Sequence, residues 1–150
     1  IALQIGRELR TIKGKRSRQF LIELEQLLLS MPRKRLIEQD LIDNNGDICV
    51  LGAKLISDEL SKGASIAEAQ LIVGSINDYY YGDDYNLVDY TASQLGISKT
   101  LCWLLIEAND EFLYGWPSRP LDKVLELRYW HVLSQVQRMI NGQLPVNRLP

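Results

Sequence analysis

Leu21, Leu24, Leu27, Leu28 and Met31 follow one another at steps of three and four residues. That spacing gathers apolar side chains on one stripe of an α-helix and scatters them over both faces of a strand. The stripe stops before Pro32 and predicts an amphipathic helix over 18–31. A second stripe of the same period, Leu121, Val124, Leu125, Val132, Leu133, Val136 and Ile140, runs up to Gly142 and predicts a helix over 120–141. Ser65 followed three positions later by Glu68 is a capping box, in which each side chain can satisfy the other's orphan amide, and it opens a helix over 66–76. Leu51, Leu55, Ile56 and Leu60 suggest a helix that stops at Gly63. Asn86 can cap a short helix reaching Leu95, with Gly96 suited to the left-handed residue past its end and Ser98 capping a further helix over 98–114. The expected fold is mainly α, a single-domain bundle of about six helices.

Two stretches resist the helical reading. Arg35 to Asp43 holds Leu36, Ile37, Leu41 and Ile42, which suit a short helix, but Asn45-Gly46 with Ile48 and Val50 beyond suits a turn at 44–47 and one short β-hairpin near 40–50. Residues 1–17 read as a basic arm, mobile or ordered by a partner, because Gly6 and Gly14 weaken any helix there. Residues 18–150 then form the helical domain. A chain of 150 residues, 46% hydrophobic, hides roughly 70% of its unfolded surface on folding and can build a core without staples. Cys49 and Cys102 are too few for a secreted disulfide framework, so a reduced, cytoplasmic setting is expected. The longest apolar run, Leu101 to Ile106, has six residues, against the roughly twenty needed to cross a bilayer. No secretory signal is visible, and a start without Met implies trimming.

The net charge of -2 conceals a segregation of signs. Residues 1–35 carry a net +6, residues 36–114 a net -11, and residues 115–150 a net +3. An acidic middle flanked by basic ends either cancels itself within the fold or between subunits, or presents a negative field to a partner. The second outcome makes Asp78, Tyr79, Tyr80, Tyr81, Asp83, Asp84 and Tyr85 the candidate partner-binding patch. Tyrosine offers large contact area at low entropic cost, and the carboxylates can imitate a nucleic-acid backbone toward a basic groove. A loop over 77–85 is expected to carry them.

The opposite polarity gives a candidate nucleic-acid surface. Lys13, Lys15, Arg16 and Arg18, with Arg33, Lys34 and Arg35, could neutralise several phosphates. Ala92, Leu95, Gly96, Ile97 and Ser98 have the spacing of a helix-turn-helix crossing. The helix after it offers only Lys99 and Thr100 to base edges, however, while Trp103, Leu104 and Leu105 suit a core. Catalytic signals are poor. His131 is the only histidine, so no His pair or Cys-His couple is available, and neither a catalytic nor a metal site is expected. Asp43, Asn45 and Asp47 around Gly46 are similar to the centre of a calcium loop, but Leu41 and Gly52 stand where Asp and a bidentate Glu are needed. There is no glycine-rich phosphate loop, and no cofactor is expected.

The runs RLIEQDLIDNNGDICVLGAK at 35–54, TASQLGISKTLCWLLIEANDEF at 91–112 and RYWHVLSQV at 128–136 resemble small uncharacterised proteins encoded by tailed phages and prophages. The resemblance rests on a Gly-Asp-Ile-Cys-x-Leu-Gly turn leading into a helix and on Asn-Asp-Glu after an apolar helix. It implies a mobile-element setting, in which accessory proteins often act on host machinery. The expected function is therefore non-enzymatic: an accessory protein that binds a host protein or protein–nucleic-acid complex through its acidic surface, as an anti-CRISPR-like inhibitor of host defence does. The alternatives are a small helix-turn-helix DNA-binding regulator using the basic arm, and a structural or assembly protein that forms homo-oligomers.

Overall fold

The computed structural model describes residues 2–110 and 120–146. Among them are seven helices: α1 (Ala2–Lys13), α2 (Lys15–Ser30), α3 (Val50–Ser61), α4 (Ile66–Tyr79), α5 (Asp84–Leu95), α6 (Lys99–Asp110) and α7 (Leu121–Ile140). The fold is a small helical bundle. The two stripes read from the sequence meet in its core, where Leu21, Leu24 and Leu28 of α2 pack with Val132, Val136 and Met139 of α7. Helix α6 runs through the middle, against α1, α3, α5 and α7, and buries Leu101, Cys102, Leu104 and Leu105.

The N-terminal arm is corrected to a packed helix. Ile5, Leu9 and Ile12 recur at helical spacing and face the core, with Ile12 only 1% exposed. Their burial outweighs a penalty of about 1 kcal/mol for Gly6 within the helix. Gly14 interrupts the path as the residue that precedes α2, so the boundary falls at 14 and not at 17. This seventh helix is the one beyond the six expected.

Three other boundaries differ in part. The loop expected over 77–85 shrinks to the turn 80–83, because α4 continues to Tyr79 and α5 already begins at Asp84. The N-cap of α5 is Asp83, whose carboxylate accepts from the Asn86 amide at 3.3 Å and from its side chain at 2.8 Å. Asn86 is therefore a donor inside the first turn and not the cap. The hairpin near 40–50 reduces to one antiparallel bridge between Ile42 and Ile48. Its turn is closed by Asp43, whose Oδ1 accepts from the amides of Asn45 (2.9 Å) and Asp47 (3.0 Å). Residues 111–114, expected to extend α6, lie outside the described residues.

Two starts are as read. Ser98 Oγ accepts from the Leu101 amide at 3.1 Å, and Ser65 and Glu68 form the reciprocal capping box, each contact at 3.1 Å. Hydrogen bonds from the backbone amide of Ser65 and then from its side chain hold the Glu68 carboxyl below its ordinary pKa. Replacing Ser65 by Ala leaves an orphan amide, and loss of such a cap costs about 1 kcal/mol. Urea denaturation of S65A should show a lower midpoint with an unchanged slope.

The irregular segment 31–49 crosses the bundle without a helix of its own, so its backbone must find partners elsewhere. Arg128 of α7, 1% exposed, provides one of them: its Nη1 donates to the carbonyl of Leu36 at 3.2 Å, while its Nε donates to the carbonyl of Asn109 on α6 at 2.9 Å. Asn109 continues the tie, accepting from the Val50 amide at 3.0 Å and donating to the Ile37 carbonyl at 2.8 Å. One buried polar knot thus joins α6, α7, the start of α3 and residues 36–37.

Candidate functional site

The knot holds residues 37–41 as one wall of a cleft whose other walls are the ends of α4 and α6 and the start of α5. The cleft has a volume of about 640 Å³ and is lined by Asp40, Asp84 and Asp110, by Tyr80, Tyr81 and Trp103, and by Asn77 and Asn109, among others. Among the described residues, none that lines it is a lysine or arginine.

Each carboxylate is placed by a local cause. The Asp110 side chain accepts from the Gln39 amide at 3.1 Å and from Asn109 Nδ2 at 2.9 Å. Gln39 has φ +69°, a left-handed conformation uncommon for a residue with a side chain, and that hydrogen bond helps to hold it. Asp40 is positioned through Asn77, which accepts from the Leu41 amide at 2.8 Å and donates weakly to Asp40 at 3.5 Å. Asp84 follows the N-cap Asp83 in the first turn of α5, where the helix dipole favours negative charge. The rings form a chain of their own: Tyr79 meets Tyr80 edge-on at 4.8 Å, and Tyr80 meets Tyr90 at 5.4 Å. Partial desolvation, then Tyr79, Tyr90 and the Asp83 carboxylate, push the Tyr80 phenol above its ordinary pKa, so it remains a donor at neutral pH.

The patch proposed from the sequence is thus partly assembled here. Tyr80, Tyr81 and Asp84 line the cleft. Tyr79, Tyr81 and Tyr85 are strongly exposed around it. Asp83 is spent on capping, and Asp78 lies in a separate shallow groove with Asp43, Gln70 and Leu71. Sequence reasoning missed Asp40, Asn77, Trp103, Asn109 and Asp110 as site residues. One signal was available for Asn109: it continues the buried face of Cys102 and Leu105 at helical spacing, and a polar residue in an apolar stripe asks for buried partners.

Among the described residues, no basic side chain lines this cleft. Lys13, Lys15, Arg16 and Arg18, with Arg7 and Arg10, are exposed and have no carboxylate within ion-pairing distance among the described residues. Arg33 and Arg35 both reach Asp47, at 3.2 and 3.1 Å, and Lys34 donates to the Leu29 carbonyl at 2.6 Å. The two basic groups sit at opposite ends of α2, roughly 24 Å apart at 1.5 Å per residue, so they make two surfaces and not one. Cancellation of the acidic middle is partial: Glu38, Asp47, Asp58, Glu59 and Asp89 have basic partners, whereas no such pair involves Asp40, Asp84 or Asp110 among the described residues.

Helices α5 and α6 follow one another across a short turn, with Gly96 left-handed at φ +70°. Its second helix is α6, mostly buried, and Lys99 at its start is paired with Asp89 at 3.1 Å. That leaves no reading face for a groove of DNA. Nucleophilic groups are equally constrained. Burial pushes the Cys49 thiol up to about 12, and burial followed by the neighbouring Cys49 pushes Cys102 to about 12, so both are protonated at neutral pH. Burial lowers the pKa of His131. Among the described residues no group of three or more His, Cys, Asp and Glu side chains is placed to hold a metal ion, and no helix is long and apolar enough to cross a membrane.

Comparisons with protein-family models, with curated proteins and with solved structures returned no match to this chain.

Proposed function

We propose that the protein is a non-enzymatic binding protein that takes a cationic segment of a macromolecular partner into the acidic, aromatic cleft between α4, α5 and α6. The observation that carries this reading is the lining itself: three carboxylates and three aromatic rings, with no basic side chain among the described residues that line it. Arginine suits such a lining twice over, since its guanidinium pairs with carboxylates and stacks on aromatic faces. In the phage setting that the resemblance implies, the partner is a host protein or protein–nucleic-acid complex whose basic channel ordinarily holds nucleic acid. Competition for that channel would make the protein an anti-CRISPR-like inhibitor of host defence.

The experiment is calorimetric titration with a peptide of alternating Arg and Gly. Binding should weaken with salt, and the double variant D84K/Y81A should lose at least tenfold in affinity. Reversal of Glu126 on α7, outside the cleft, serves as the charge-matched control and should have a small effect. Equal losses in both proteins would mean that overall charge, and not the cleft, attracts the peptide.

The exposed cations of α1 and α2 favour a second reading, contact with nucleic-acid phosphates. Deleting residues 1–18 would remove a packed helix, so the cleaner variant is K15Q/R16Q/R18Q. On this reading it lowers duplex DNA affinity and flattens the salt dependence.

A further inference from the structure

We propose that the groove between α2 and α3 is a binding site for an amphiphilic carboxylate, a small molecule with an apolar body and one anionic head. The groove has a volume of about 500 Å³, in the range of small-molecule sites. Its walls are apolar, built from Leu27 and Met31 of α2 and its end, Ile48 of the bridge, and Ile56 and Leu60 of α3. Leu60 remains 41% exposed there.

Its lip is cationic. Arg33 and Arg35 both line the groove and converge on one carboxylate, Asp47, at 3.2 and 3.1 Å, and Asp47 is only 5% exposed. Two guanidinium groups on one carboxylate leave a surplus of one positive charge. The other acidic neighbour of Arg35 is Asp122 at 3.4 Å, which is 88% exposed and well solvated, hence a weak partner that an incoming anion can replace. The Nε–H of Arg35 is buried and has no acceptor among the described residues. That atom is closed to solvent, so an incoming carboxylate would meet the Nη groups of Arg33 and Arg35, whose planar guanidinium ends match it. A head of single charge fits a single surplus cation better than a dianionic phosphate. This basic pair, which the sequence suggested for phosphate contact, is thereby read as the head-group end of an apolar groove. The groove shares no lining residue with the acidic cleft, so this proposal and the preceding one stand or fall separately.

Isothermal titration of the full chain with octanoate, octan-1-ol and octylammonium tests it. Octanoate should bind at least tenfold more tightly than octan-1-ol, and octylammonium should bind less tightly than either. R33Q should weaken octanoate at least fivefold while leaving octan-1-ol unchanged. R35K keeps the charge but removes the planar guanidinium fork, and it should also weaken octanoate. S57F, which fills the groove from α3, should abolish binding of octanoate and octan-1-ol in a protein whose circular dichroism is unaltered. Octanoate affinity weaker than about 1 mM, equal affinity for octanoate and octan-1-ol, or octanoate binding unmoved by R33Q and S57F would each overturn the proposal.

Discussion

Replacing Arg128 by Ala should destabilise the protein by about 4 kcal/mol, a large share of the 5–15 kcal/mol that holds a typical domain. The guanidinium is buried and its acceptors are main-chain carbonyls of Asn109 and Leu36, neither of which would have water to turn to. Burial lowers the pKa of Arg128, and the nearby carboxylates of Glu38 and Asp110 oppose that shift. Glu38 lies at 3.5 Å and is half exposed, so its removal should matter far less. The expected pattern in thermal unfolding is a fall of roughly 10 °C for R128A, scaled from 2–4 °C per kcal/mol at this chain length, and no more than a few degrees for E38Q. Lysine should rescue only in part, because an ammonium cannot span both carbonyls with the planar fork of an arginine. Equal stability of R128A and the parent would show that residues 36–37 are not held by this knot.

Gly52→Ala should be nearly as damaging and for a different reason. A Cβ at position 52 would stand 2.0 Å from the carbonyl oxygen of Leu41 and 2.9 Å from its carbon. Both are backbone atoms, which cannot swing aside as a side chain can. Residues 40–41 would have to move away from α3, stretching the Cys49 amide bond to Leu41 (3.2 Å) and the Leu41 amide bond to Asn77 (2.8 Å). A cost of about 3 kcal/mol is expected from overpacking and lost hydrogen bonds together. The same movement displaces Asp40 from the cleft, so G52A should also bind the Arg-Gly peptide more weakly under conditions where it remains folded. Alanine at Gly63, where nothing lies within 4 Å but φ is +97°, should cost only local backbone strain and spare binding.

These two positions also mark what the sequence made legible. Periodicity exposed α2 and α7 because their apolar stripes are long and uninterrupted. Side-chain chemistry exposed the ends at Ser65, Gly96 and Ser98 because each cap is satisfied within three residues. Helix α1 was obscured by its charge and glycines, although Ile5, Leu9 and Ile12 carry the core-facing spacing. The cleft was half visible. Its tyrosines and Asp84 cluster within seven residues of chain, but Asp40 and Asp110 come from segments 70 residues apart and are brought together by the Gln39 amide on Asp110 and by Asn77, Asn109 and Arg128. Such long-range polar ties have no local period. The closest sequence trace is an Asn or Arg placed where the helical stripe calls for an apolar residue, as at Asn109 on α6 and Arg128 between Leu125 and Val132 on α7. The Gly-Asp-Ile-Cys-x-Leu-Gly run acquires a physical meaning in the same way: Gly46 turns at φ +78°, Cys49 caps α3 through the Gly52 amide, and Gly52 admits Leu41.

Amide chemical-shift mapping during titration with the Arg-Gly peptide tests the central claim most directly, because it reports position as well as affinity. Shifts should concentrate at Asp40, Asn77, Tyr80, Tyr81, Asp84 and Asp110, together with the Trp103 indole, and should collapse in D84K/Y81A. Shifts spread evenly over exposed acids such as Glu23, Glu68 and Glu126, or absent from the cleft at saturation, would contradict it.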